Sequence, residues 1–312
     1  MDWIEAFQKI RVDRASKTPA PHKAILLLVL IDQIEQGLLD PDAIRLSPQL
    51  AFQFLAYWEV IAQRGRSIGR VELPFFYLKS DGILHHFAKT GLEAALPAVR
   101  PISVEALSAV IDRAKMPDSL FEFLGDARNR KVARHALIQG DWFLPSERFA
   151  LNEMFGFSQD EIKADASLAK ADEHISARQK GREARFRLAI VPLYRYTCAL
   201  CGMKTITPSG LTLVEAAHIH QFAKSRNNEP DNGVALCRNH HWAFDAGLWS
   251  IDESSRIIVA HSFIEETSPF PNTLTNFAGR LLDFSWIARN LRPNPRHIEW
   301  HRHHKFRGQP IQ

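Results

Sequence analysis

The 312 residues of this chain (35.5 kDa) are enough for two domains, each burying its own core. Its 39 Lys and Arg against 35 Asp and Glu give a formal charge of +4, which suits a polyanionic partner without requiring one. The longest apolar run, Ala24 to Ile31, falls far short of the roughly 20 residues that span a bilayer. The first residues carry no basic-then-apolar leader pattern, so the expectation is a cytoplasmic protein with no membrane partner.

Trp3, Ile4, Phe7 and Ile10 recur at helical spacing and predict a helix within residues 3–12. After Pro19-Ala20-Pro21, the run from His22 to Gln36 is apolar on nearly every side, which predicts a buried helix ending at Gly37. A further helix is expected over Pro48 to Gln63. From Val71 to Phe87 the pattern changes to short apolar runs around Lys79-Ser80-Asp81-Gly82, and the Asp-Gly pair predicts a hairpin turn between two strands. Ser103 to Ala114, Asp118 to Gly125 and Arg128 to Gln139 read as helices. Residues 1–155 are therefore expected to form a mostly helical domain with one small hairpin.

Residues 156–190 read as a charged linking helix, with an N-cap at Ser158 ahead of Asp160 and Glu161. Its last cations, Arg178, Lys180, Arg182, Arg185 and Arg187, read first as a solvated face and second as a strip for phosphates. Residues 191–312 make the final domain. Its tail, Arg292 to Gln312, holds His297, His301, His303 and His304 and is expected to be an exposed basic end.

All three cysteines fall between positions 198 and 237. An odd count argues against a disulfide framework and for metal ligation in a reducing compartment. Cys198-x2-Cys201 and Cys237-x2-His240 are two pairs whose two-residue gaps let a turn place both ligands on one ion. Four protein ligands would fill a tetrahedral Zn2+ completely, which makes the site structural.

A second set is interleaved with the first. His218 lies in a predicted strand and is suited to act as a base, because its free pKa is close to working pH. Asn232, in Asp231-Asn232-Gly233, would hold that imidazole or the adjacent loop. His241 follows His240 on a helix starting near Cys237 and points about 100° away from it, so the two histidines can serve different ions. Asp245, four residues on, shares the face of His241 as a second ligand or its partner.

The span Tyr196 to Asp252, with Cys198-Ala-Leu-Cys-Gly, Glu215-Ala-Ala-His-Ile and Asp231-Asn-Gly-Val-Ala-Leu-Cys-Arg-Asn-His-His-Trp-Ala-Phe-Asp, resembles the HNH endonucleases of restriction enzymes. That resemblance implies a zinc-stabilised ββα-metal module within an α+β protein, cutting DNA with Mg2+ or Mn2+. Many such modules carry Asp or His just before the base, where this chain has Ala217. Glu215, on the same strand face, would replace it as a metal ligand beside His241 and Asp245.

In the first domain, Pro21-His22-Lys23 and Glu72-Leu73-Pro74-Phe75-Phe76-Tyr77 are similar to the sulfur-binding domain of phosphorothioate-dependent HNH restriction enzymes. Here Ala24 stands for a usual proline and Leu73 for a frequent aromatic. The resemblance implies that Pro74 and Phe75 meet a backbone sulfur while His22, Lys23 and Arg100 hold flanking phosphates. The expected partner is modified double-stranded DNA, bound by a monomer or homodimer. A first domain reading a modified base or a sequence, and an inactive zinc-stabilised DNA-binding protein, are the alternatives.

Overall fold

The computed structural model describes residues 2–15, 19–61, 69–156, 171–261, 263–265 and 273–308, with side chains in the long helix described from Ser176 onward. The Ser158 cap and the end of the helix expected to reach Gln63 lie outside these residues. The chain forms two compact units, residues 1–184 with 207–211, and residues 185–206 with 212–312.

The first unit is built around one helix. Helices α1 (Trp3–Gln8), α2 (His22–Glu35), α3 (Pro48–Val60) and α4 (Glu72–Tyr77) are followed by strand β1 (His85–Ala88). Next come α5 (Val104–Val110), β2 (Ile111–Lys115), α6 (Asp118–Gly125), α7 (Ala127–Ile138) and α8 (Pro145–Phe155). Helix α2 is buried at every position from Lys23 to Ile31, because α3, α4, α6 and α7 surround it. A helix apolar all round has no other stable place than a core. At its end the carboxylate of Asp32 accepts hydrogen bonds from Arg134, at 2.6 Å, and from Tyr57.

Two sequence expectations are corrected here. Leu73-Pro74-Phe75-Phe76 is helical rather than extended, and Asp81-Gly82 ends a 3-10 turn, Leu78–Asp81, with Gly82 left-handed at φ +71°. Proline at the third helical position is tolerated, because first-turn N–H groups have no partner within the helix. Asp81 is also drawn into long-range bonds from Arg11 N at 2.9 Å and Lys23 Nζ at 2.5 Å, so it is not a free hairpin residue. Strand β1 pairs antiparallel with β2, not across Asp81-Gly82. The helix expected to reach Ala114 stops at Val110, after capping by Ser103 Oγ on Ala106 N at 3.1 Å. Ile111–Lys115 is taken into the sheet, where Ala114 and Ile44 exchange backbone bonds of 2.7 and 2.9 Å. Pairing outweighs local helix propensity at this position.

Helix α9 (Ala171–Leu193) contributes its residues up to Ala184 to the first unit and the remainder to the second. Of its cations, Arg178 holds Glu153 with two nitrogens, at 3.0 and 2.8 Å. The second unit then holds β3 (Val214–His218), β4 (Gly233–Cys237), α10 (Arg238–Asp245), β5 (Trp249–Ile251), β6 (Ile257–Val259) and α11 (Pro295–His304). Strands β3 and β4 pair antiparallel, Val214 opposite Cys237 and His218 opposite Gly233, and α10 packs on both. Gly233 is in ordinary extended conformation at φ −125°; what bars a side chain is helix α9, since a Cβ would lie 2.2 Å from Ile190 Cδ1. No helix among the described residues is long and apolar enough to cross a membrane.

The tail is corrected in part: it forms a helix that packs through Ile298 and His301, while His303 and His304 are exposed as expected. His301 is 2 % exposed, stacks on Phe244 at 3.7 Å, donates to Phe244 O at 3.1 Å and pairs with Ser250 Oγ at 2.8 Å. Burial pushes its imidazole down to about 4. A depressed pKa means the folded state resists a proton that the unfolded chain accepts. The associated stability is present above the ordinary 6.5 and is lost as pH falls from there through about 4, a loss of about 3 kcal/mol. Denaturant unfolding across that window should show it, and His301→Gln should flatten the dependence. An equal slope in both proteins would reject the assignment.

Candidate functional site

The Cys198-x2-Cys201 turn and the start of α10 bring four ligands together. Sγ of Cys198, Cys201 and Cys237 and a ring nitrogen of His240 all lie within 4.8 Å of one another, and they alone among the described residues form such a group. His240 Nδ1 is 3.6 Å from Cys198 Sγ and 3.2 Å from Cys237 Sγ. Three thiols and an imidazole at this mutual distance fit a tetrahedral Zn2+. The protons are unevenly held: the hydrogen bond from Cys198 pushes Cys201 down to about 4, and the same bond with burial raises Cys198. A group that already stabilises one thiolate is suited to a dication that stabilises three.

His241 takes no part in that cluster. Its Nδ1 lies 3.0 Å from Glu215 Oε2, and its Nε2 lies 3.5 Å from Asp245 Oδ2. A carboxylate only accepts, so Glu215 fixes a proton on Nδ1, while Nε2 faces the second carboxylate, Asp245, and would offer a lone pair only to a cation lying between the two. The other oxygen of Glu215 is bonded by Arg238 Nε at 2.9 Å. The two carboxylates thus flank opposite nitrogens instead of converging. In this arrangement His241 Nε2 and Asp245 could hold a divalent ion with water and substrate oxygens, while Glu215 orients the ring. Ala217, where a ligand was missed in the sequence, is fully buried.

His218 projects from the opposite side of β3 to Glu215. Its ring lies flat on Phe186 of α9, centroids 3.8 Å apart, and its Nε2 is 2.8 Å from Asn228 Oδ1. The amide oxygen accepts, so Nε2 carries the proton and Nδ1 is the basic nitrogen. Asn232 does not touch this imidazole. It is fully buried and pins the loop instead: Oδ1 accepts from His220 N at 2.8 Å, and Nδ2 donates to His220 O at 2.9 Å and Asn227 O at 3.0 Å. Helix α11 closes the loop from outside, through His297 with Asn227 at 3.2 Å, Asn294 with Asp231 at 3.0 Å, and Trp300 stacked on His220 at 4.0 Å. Sequence reasoning passed over Asn228, Phe186 and His297. The repeated asparagines of Asn227-Asn228 were a usable signal; nothing local marks the other two.

In the first unit, a cavity of about 490 Å3 is lined by Arg11, His22, Lys23, Leu73, Pro74 and Tyr77, among others. It gathers three of the five residues assigned to DNA recognition. His22 leans on Trp58 at 4.5 Å, and the Lys23 ammonium is neutralised by Asp81, both side chains being at most 10 % exposed. Phe75 is turned away into the core against His86, and Arg100 caps the carbonyls of Pro97, Ala98 and Val99 in an exposed turn. Lys79, next to the cavity residue Ser80, has its pKa lowered by partial burial and by the nearby charge of Arg100.

With that geometry in place, residues 198–252 match the family model described as HNH endonuclease. This segment is an HNH endonuclease domain. The HNH match covers the cluster of three cysteines and His240, both His218 and His241, and the whole β3–β4–α10 unit. No curated protein matches the chain. Among solved structures, a "Modification dependent TagI restriction endonuclease" aligns with 19 % identity and a TM-score of 0.32, over 41 % of this chain and 40 % of its own length. The chain thus spans well under half of that protein.

Proposed function

We propose that the protein is a modification-dependent restriction endonuclease that binds phosphorothioated duplex DNA through its first unit and hydrolyses it with the HNH domain. What supports the nuclease part is the separate placing of two histidines around β3 and α10: Nε2 of His218 is held by Asn228, and Nε2 of His241 faces Asp245 across 3.5 Å. His218 would take the proton of the attacking water at Nδ1. Phe186 and Asn228 hold the ring so that little reorientation is needed. A divalent ion, held at His241 and Asp245, would supply charge to offset that on the phosphate and leaving oxygen.

The specificity part rests on the cavity. Its apolar wall, with Leu73 and Pro74, suits a poorly hydrated, polarisable sulfur, and Arg11 offers charge and His22 a ring N–H to the phosphate around it. Lys23 shapes the wall through Asp81, and Lys79, near Arg100, would add positive charge for flanking phosphates. Competition binding tests this reading. Wild type should prefer a phosphorothioated duplex over its plain counterpart, and His22→Ala should lose most of that preference. Equal affinity of wild type for both duplexes would remove the sulfur specificity and leave a modified base or sequence as the signal.

A further inference from the structure

Helix α10 has one face toward the sheet and one toward solvent, and the solvent face is unusual. Ala243 and Phe244 are buried, whereas Trp242 is 68 % exposed, the largest exposure of any tryptophan among the described residues. Arg238, one turn earlier, is also 68 % exposed, and Leu213, whose carbonyl accepts the Arg238 N–H at 3.2 Å, is 45 % exposed. Positions 238, 241, 242 and 245 follow the i, i+3, i+4, i+7 spacing of a single helix face. The exposed tryptophan therefore shares a face with His241 and Asp245. A single exposed indole is ordinary on a protein surface; what sets this one apart is that it shares its face with Arg238, His241 and Asp245.

We propose that Trp242 and Arg238 seat the DNA strand beside the phosphate that is cut, with Trp242 stacked on the base or sugar of one neighbouring nucleotide and Arg238 on the adjoining phosphate. The inference rests on the nuclease reading of this site. Three observations select DNA as the occupant. The face is continuous with His241 and Asp245, the pair proposed above to hold the metal, it carries a cation able to exchange a carboxylate for a phosphate, and it offers a π-surface to bases of any identity. Arg238 now bonds Glu215, so binding would transfer its guanidinium to the strand while Glu215 keeps His241 oriented.

The test uses the full-length protein and a duplex that wild type cuts, with copies of it bearing a single abasic site at each position flanking the break. Trp242→Ala should raise the half-saturating DNA concentration about tenfold or more and leave the maximal single-turnover rate within a fewfold, while Trp242→Phe retains most of the affinity. One abasic position should weaken wild type by a similar factor yet leave Trp242→Ala unaffected, since the stacking partner is already lost. Unchanged affinity of Trp242→Ala, equal abasic penalties in both proteins, or a dimer of wild type that dissociates in Trp242→Ala would each overturn the proposal. If wild type cuts no duplex, the nuclease reading fails, and the same comparison by fluorescence anisotropy with the abasic set decides the stacking claim by the same pattern.

Discussion

Replacing His218 with alanine is expected to lower DNA cleavage by about 10²- to 10⁴-fold, the range a positioned general base supplies, while duplex affinity and zinc content stay at wild-type levels. The expectation follows from where the ring is held. It rests flat on Phe186, and its Nε2–H is taken by Asn228, so Nδ1 is the nitrogen able to accept a proton. His218→Asn keeps some of the volume without the base and guards against a packing artefact. Asn228→Ala should lose less, because the ring keeps its stack and only the tautomer is released. Cleavage by His218→Ala at a rate close to wild type would reject His218 as the base.

The second large effect concerns zinc. Protein purified without chelator should contain one zinc per chain, and Cys237→Ser or exhaustive chelation should abolish the cooperative unfolding of the unit built on residues 185–206 and 212–312. Structural zinc sites in small domains contribute roughly 10–16 kcal/mol of apparent binding energy, as much as the whole stability of a typical domain. Cys237 ends β4 and caps α10, so releasing it unties the strand and helix that carry His218 and His241. Adding Mg2+ to the chelated protein should not restore activity, because a hard cation prefers oxygen over thiolate ligands. A metal-free protein with an intact thermal transition would refute the assignment.

The site was legible in the sequence where its logic is short-range. Two-residue gaps at Cys198–Cys201 and Cys237–His240 encode a turn and a helix start directly, and the one-residue step from His240 to His241 encodes their different directions. What depends on packing was not legible. Asn232 was readable as holding either the His218 imidazole or the adjacent loop, and only packing chooses the loop and gives His218 to Asn228. His297 reaches the same loop from a helix far along the chain, and His301 is buried by partners that no local pattern names. In the first unit, the family resemblance named Pro74 and Phe75 together as ligands. As a helix, successive residues diverge by about 100°, so Pro74 and Tyr77 reach the cavity while Phe75 enters the core. The helix α2 was readable because its apolar run leaves no solvent face to choose.

The most direct test is single-turnover cleavage of two duplexes of identical sequence, one plain and one with a single phosphorothioate linkage, mixed with wild-type protein and Mg2+ or Mn2+. Metal-dependent breakage of the phosphorothioated duplex and little or none of the plain one is expected. Tight binding of either duplex with no breakage under either metal would contradict it, and would leave a zinc-stabilised DNA-binding protein in place of a nuclease.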